Sequence, residues 1–206
     1  MTGYTDKALA TRERILSAAN ELFYVHGYHA TGLDRIIARA GVTKGNFYYY
    51  FKSKEALAAA VLEWHRDLAF RELDVEGLLA AHPLLAALLA LLAAIARRVQ
   101  CDTGDCAIRG CFFGNFALEL STGSALIRRT VEQIFTEMRD LIAAVLRRAQ
   151  AAGQIDPGLD PESTARTILS LLEGAILLDK TGQRPAEIPH ALAFIERYLT
   201  PAGQAA

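Results

Sequence analysis

The chain is 206 residues long, 52% hydrophobic and 22% charged, with a formal net charge of −1. That apolar share is too high, and that charge too small, for disorder over most of the length, and three Cys are too few for a disulfide framework. At about 100–200 residues per domain, the length suits one medium domain, or a small domain joined to a larger one, with a core that needs no staples.

The small net charge hides an asymmetry. Residues 1–54 carry eight Lys/Arg and four Asp/Glu, a net +4, while the remainder carries 14 and 19, a net −5. A basic N-terminal quarter on an acidic body points to an end that faces an anion. The longest apolar run, Pro83 to Ala96, ends at Arg97 and Arg98. It falls short of the roughly 20 residues of a spanning helix, and residues 1–7 show no basic stretch followed by an apolar one. The expectation is a cytoplasmic protein with free thiols and no membrane partner.

The pattern is helical throughout. Leu9, Ile15, Leu16, Ala19, Leu22 and Phe23 form one stripe, predicting a helix over Lys7–His26 that Gly27 ends. Thr31 reads as the N-cap of a short helix through Ala40, and Gly41 supplies a turn. Thr43 caps a second short helix to Phe51, and Ser53 caps a long one to about Leu73. Further helices are expected at Pro83–Gln100, Phe112–Leu120, Ala125–Ala152, Asp160–Lys180 and Ala186–Leu199. Pro161 suits the first helical position of the penultimate helix. The class is all-α, without repeats or low-complexity linkers.

Residues 31–51 spell helix, Gly turn, helix, the plan in which a second helix enters the major groove by its N-terminal end. Leu33, Ile36, Ile37, Ala40, Val42, Phe47 and Phe51 should face inward. Thr43, Lys44, Gly45, Asn46, Tyr48 and Tyr49 face outward and offer a hydroxyl, an ammonium, an amide and phenols to base edges and phosphates. Gly45 lets the backbone come close to DNA. Lys54, at the start of the next helix, combines its charge with a helix N-terminus, which favours a phosphate. With Thr31 these residues make up the expected DNA-facing set.

The stretch Ala40 to Leu57 (AGVTKGNFYYYFKSKEAL) closely resembles the signature of the TetR/AcrR family of transcriptional repressors. The likeness extends over Leu9–Leu62, with Ile37 and Phe47 at positions where the family more often has a small residue and Leu. It implies a homodimer on a palindromic operator on double-stranded DNA. Residues 1–53 would be a three-helix DNA-binding domain and 54–206 a larger helical domain for ligand binding and dimerisation. The last two long helices would pair with their copies in a four-helix bundle, with Ile168, Leu172, Ala175, Ile176, Leu192 and Ile195 at the interface. Independently of the resemblance, the segment Ala165–Leu178 is apolar on more than one face, which suggests a second partner. A small effector acting on the larger domain would tilt the helix Ser53–Leu73. That would move the two reading helices off the spacing of about 34–36 Å that matches one turn of DNA.

The segment Arg109–Ser121 (RGCFFGNFALELS) resembles one in the electrophile- and oxidant-responsive branch of that family, the branch of the N-ethylmaleimide reductase repressor. The resemblance makes Cys111 the sensing thiol and Lys180 its partner. A thiolate is the reactive form, and a cation such as Lys180 or Arg109 would lower the thiol pKa. Cys106 could resolve an oxidised Cys111. The competing reading is a structural Cys111 with a reversible hydrophobic ligand, for which Trp64, Phe112 and Phe116 are candidate lining residues. Glu119, on an apolar helix, calls for a partner in Arg109, Arg128 or the ligand. A thiol metal sensor using Cys101, Cys106 and Cys111 is a weaker alternative, because the spacing of five lacks the usual close pairing. No resident metal or cofactor is expected. Nor is an enzyme, since no nucleophile elbow, phosphate-binding loop, dinucleotide fingerprint or zinc-protease motif occurs.

Overall fold

The computed structural model describes residues 6–72, 77, 80, 83–100 and 107–200. Among them are nine α-helices and no strand. They are α1 (Asp6–His26), α2 (Leu33–Ala40), α3 (Lys44–Tyr50), α4 (Lys54–Glu72), α5 (Leu84–Gln100), α6 (Phe112–Leu120), α7 (Ala125–Ala151), α8 (Pro161–Gly182) and α9 (Glu187–Leu199). No described helix is long and apolar enough to cross a membrane.

The helix starts follow side-chain chemistry. Thr43 Oγ1 accepts the Asn46 N–H at 3.2 Å, Ser53 Oγ the Ala56 N–H at 3.0 Å, and Asp160 Oδ2 the Ser163 N–H at 3.0 Å. Each satisfies a donor that a helix N-terminus leaves orphaned. Thr31 does not cap α2. Gly32 occupies that place in extended conformation without a side-chain bond. Thr31 is fully buried, and its hydroxyl lies 2.7 Å from the carbonyl oxygen of Gly27 and 3.2 Å from that of Leu22. The hydroxyl ties the α1–α2 turn back onto α1 and faces no solvent, which removes Thr31 from the expected DNA-facing set.

Two compact units divide the chain. One holds residues 1–68 and 115–134, the other 69–114 and 135–206. The first therefore takes in, beyond the expected 1–53, the first part of α4, most of α6 and the start of α7. Its core is formed by Ile15, Leu16, Ala19, Leu22, Ile36, Phe47, Leu57 and Leu62, with Ile127 and Ile134.

In the second unit one apolar core joins α5 (Leu84, Leu88, Leu92, Ala96), α7 (Ile142, Ala143, Leu146, Ala149), α8 (Ala165, Ile168, Leu169, Leu172, Ala175, Ile176) and α9 (Ile188, Ala191, Ile195, Leu199). The residues expected at a dimer face are thus mostly spent inside the chain. Ile168, Leu172, Ala175, Ile176 and Ile195 are buried in this core, and Leu192 packs half-buried against it. The wide apolar stripe of α8 has two halves, and these residues form the inner one. The outer half, continued on α9, is Leu177, Leu178, Phe194 and Tyr198, all exposed, with the last two rings stacked at 6.1 Å.

A single buried carboxylate joins α8 to α9. Asp179 is 1% exposed. Its Oδ1 accepts the N–H groups of Ala186 and Glu187 at 2.9 and 2.7 Å, and its Oδ2 that of Ile188 at 3.4 Å. It caps α9 from the preceding helix, in place of the Ala186 side chain, which cannot. Gln183 holds the intervening turn in a left-handed conformation at φ 48°. Its side-chain amide exchanges two hydrogen bonds with the backbone of Ile108, each 3.0 Å. Asp179→Ala orphans the N–H groups of Glu187 and Ile188, while that of Ala186 keeps the Arg184 carbonyl at 3.0 Å, and should cost about 2 kcal/mol. In thermal unfolding that is a Tm lower by about 4–8 °C for a chain of this size, with Asp179→Asn losing roughly half as much.

Candidate functional site

Two regions carry polar chemistry beyond what folding needs, one in each unit. In the first unit α2, Gly41 and α3 form the helix-turn-helix. Gly41 closes α2 at φ 63°, and its N–H reaches the Ala38 carbonyl at 3.1 Å. Ile36, Ala40, Phe47 and Phe51 are buried and Leu33, Ile37 and Val42 half-buried, so the inward set is as the pattern predicts. Thr43, Lys44, Gly45, Asn46, Tyr48 and Tyr49 are all exposed, and Tyr49 is 67% accessible. Tyr50 is half-buried beside Tyr49, its ring at 90° to that residue's. Lys44 lies 3.5 Å from Asp34 with both side chains mostly in solvent, a pair too weak to withhold the ammonium from another anion. The α1–α2 angle is fastened outside by the Arg39 fork on Glu21, with contacts of 2.7–3.1 Å.

Lys54 does not stand free at its helix start. Its Nζ lies 4.1 Å from the centroid of the Tyr28 ring, a cation–π contact. Partial burial lowers its pKa while the Glu119 charge raises it. Glu119 resolves otherwise than expected. Its carboxylate accepts the backbone N–H of Tyr28 at 3.2 Å and of His29 at 3.1 Å. Arg128, one expected partner, donates instead to the Ser121 carbonyl. Gly27 beneath it sits at φ 81°, and a Cβ there would come within 2.8 Å of Glu119 Oε1. Nearby, Ser124 caps α7 through the Ile127 N–H and donates its hydroxyl to Glu55. Phe116 packs edge-on against Phe23 at 5.6 Å.

In the second unit Cys111 is a half-buried free thiol. Its neighbour is an acid, not a base. The S–H donates to the Glu173 carboxylate, and the Sγ accepts the Gly114 N–H at 3.4 Å. Burial first, then the Glu173 charge, push the thiol pKa well above 9.0. Burial also raises the pKa of Glu173, with the Cys111 hydrogen bond pulling it back. The expectation that Lys180 or Arg109 depresses this thiol is therefore corrected: the charge acting on Cys111 is negative. Gly114 makes the arrangement possible, since a Cβ there would stand 3.0 Å from Glu173 Oε2 and 3.3 Å from Cys111 Cβ.

The remaining effector candidates are divided between the units. Trp64, Phe116 and Glu119 belong to the first unit, and Cys111, Phe112 and Lys180 to the second. Phe112 is buried with its ring edge-on to Phe113. Cys106, with the Cys101 of the metal-sensor reading, lies outside the described residues, among which no group of three or more His, Cys, Asp or Glu could hold a metal ion. Glu173 escaped the sequence reading, though Gly114, three residues after Cys111, was the available sign that something must approach there.

A helix-turn-helix with a solvent-facing polar α3, joined to a second helical unit, defines the class of helix-turn-helix regulators. Residues 15–61 match the model of bacterial regulatory proteins of the tetR family, and residues 85–195 match the tetracyclin repressor-like C-terminal domain. The chain belongs to the TetR family. It is 32% identical to the transcriptional regulator AcuR of Cereibacter sphaeroides over 89% of this chain and 82% of that protein. It is 29% identical to the transcriptional repressor DhaR of a Mycobacterium species, over 92% of each. Among solved structures it superposes on the reduced form of Escherichia coli NemR with a TM-score of 0.83, at 27% identity over 93% of this chain and 98% of that one.

Reaction of Cys111 with N-ethylmaleimide should be slow at pH 7 in the folded protein and should still be rising above pH 10, where an ordinary thiol has levelled off. Glu173→Gln removes the negative charge and should speed the reaction at fixed pH, by about tenfold per pKa unit recovered. Mass spectrometry of timed samples checks this, and equal rates for both proteins in urea would show that the difference belongs to the fold.

Proposed function

We propose that the protein is a dimeric transcriptional repressor of the bacterial cytoplasm. In its effector-free state it would hold a palindromic operator, and a small molecule acting on the C-terminal helices would release it. The observation that carries the reading is the exposed N-terminal half of α3. Thr43, Lys44, Gly45, Asn46, Tyr48 and Tyr49 are all exposed to solvent while the buried Phe47 anchors the helix inward. Their hydroxyl, ammonium, amide and phenol groups suit base edges and phosphates. The naming of DhaR as a repressor supports repression. The exposed patch of Leu177, Leu178, Phe194 and Tyr198 supports dimerisation, because two-fold symmetry covers such a face with its own copy. Helix α4 runs on in sequence from the α3 turn and is the natural carrier of a change in head spacing.

The protonated, acid-paired Cys111 favours a reversible ligand as the effector. The resemblance of the Arg109–Ser121 segment to the electrophile-responsive branch, with the likeness to reduced NemR, supports a second route in which Cys111 is modified covalently. In that route Glu173 sets a threshold, since only the small thiolate fraction reacts.

A gel-shift titration on DNA from upstream of the protein's own gene tests both. Affinity should fall by about 10³–10⁵ between 50 and 200 mM salt if six to ten phosphates are neutralised, and Lys44→Ala should lower the salt slope by about one per protomer. Salt-independent binding would refute the DNA reading. Release by N-ethylmaleimide from the wild type but not from Cys111→Ser would establish the covalent route, and indifference to treatment would leave the reversible one. Separately, Leu178→Glu with Phe194→Glu should convert the protein to a folded monomer in sedimentation and abolish tight operator binding. A dimer that survives both charges would place the interface elsewhere.

A further inference from the structure

Beside the Cys111–Glu173 pair, α7 and α8 flank an open cleft of about 340 Å³ lined by Phe135, Arg139, Arg166, Leu169, Ser170 and Glu173, with Arg166 and Ser170 exposed to solvent. The volume is at the lower end of the range for small-molecule sites. Its charge is unbalanced. Arg166 makes no hydrogen bond or ion pair among the described residues, and Arg139 has one bond, to the Thr136 hydroxyl at 2.8 Å. No carboxylate stands within ion-pair distance of either guanidinium among these residues. Glu173, the one acid in the lining, spends its carboxylate on the Cys111 thiol. Two cations from neighbouring helices thus flank a space whose remaining walls, Phe135 and Leu169, are apolar.

We propose that this cleft binds a small organic acid, its carboxylate between Arg139 and Arg166 and its short apolar body against Phe135 and Leu169. Guanidinium forks match the planar carboxylate bidentately. With two arginines and one glutamate the lining carries a formal net charge of +1, which suits a monoanion. Apolar walls disfavour inorganic phosphate, whose hydration shell they cannot replace. Ser170, exposed in the lining, offers one further hydroxyl. That the bound acid also releases DNA rests on the repressor reading above; the site itself rests on its charge and shape.

Equilibrium dialysis of the full-length reduced protein against radiolabelled benzoate, hexanoate and cinnamate tests the proposal, with benzamide and inorganic phosphate as competitors. At least one acid should bind, at one per chain, and neither competitor should displace it. Arg139→Gln and Arg166→Gln should each weaken binding by about tenfold, and the acid should protect both arginines from phenylglyoxal in peptide maps. Failure of all three acids to bind, equal binding to the double variant, or displacement by benzamide would overturn the site. So would dissociation of the dimer by these variants with no effect of any acid, which would assign the arginines to an interface between copies. A gel shift separates the two readings. Arginine-dependent binding that leaves DNA bound keeps the site and refutes its role in release; tight, salt-sensitive DNA binding with no acid bound refutes the site and keeps the repressor.

Discussion

The reading head depends on how one carboxylate ends a helix-to-helix turn. At Gly27 the backbone takes a positive φ that glycine adopts without strain. The next two N–H groups, of Tyr28 and His29, would be left without partners by that turn. Glu119 supplies both acceptors from a segment about ninety residues away in sequence. The same turn is drawn inward by the Thr31 hydroxyl, and its Tyr28 ring lies under the Lys54 ammonium. The direction of α2, and through Gly41 that of α3, follows from this local geometry. The start of α4 is fixed in the same cluster, and Glu55 in its first turn takes the Ser124 hydroxyl. A group that the apolar pattern of α6 marks as misplaced is in fact what sets the angle of the helix presented to solvent.

The Cys111 region shows how the chemistry of a residue is decided by its neighbour. A thiol beside an arginine or lysine ionises near neutrality and reacts. The same thiol beside a buried acid keeps its proton and acts as a hydrogen-bond donor. Here Glu173 takes the second role possible for it too, since it accepts the S–H bond while standing in the wall of a cleft. Thiol, acid and cleft thus share one group, and whatever alters the charge of Glu173 alters both the reactivity of Cys111 and the charge seen from the cleft.

The helices and their caps were legible because they are local. Thr43, Ser53 and Asp160 each announce a helix three residues ahead, and the periodicity that follows fixes the buried face. Phe47 and the exposed residues around it were legible for the same reason. What distance in sequence conceals was not. A hydroxyl at position 31 reads alike as a cap or as a buried tie, and only the extended Gly32 decides. The apolar stripe of α8 is too wide for one partner, but the sequence does not say which half meets α5, α7 and α9 and which meets solvent. The partner of Cys111 lies 62 positions on, about two turns before the Lys180 of the family resemblance on the same helix, and Glu119 finds its bonds on backbone atoms that carry no sequence signal at all.

Asp179 has a consequence for association. By capping α9 from within α8, it makes the two helices one body, further pinned where Gln183 grips Ile108. The stripe Leu177–Leu178 and the stacked pair Phe194–Tyr198 lie on different helices, yet neither helix can shift without breaking buried charge-assisted bonds. Any surface that covers this face meets a preformed plate and gives up little conformational entropy in doing so. The stiffness that a carboxylate confers inside one chain therefore lowers the free-energy cost of joining another.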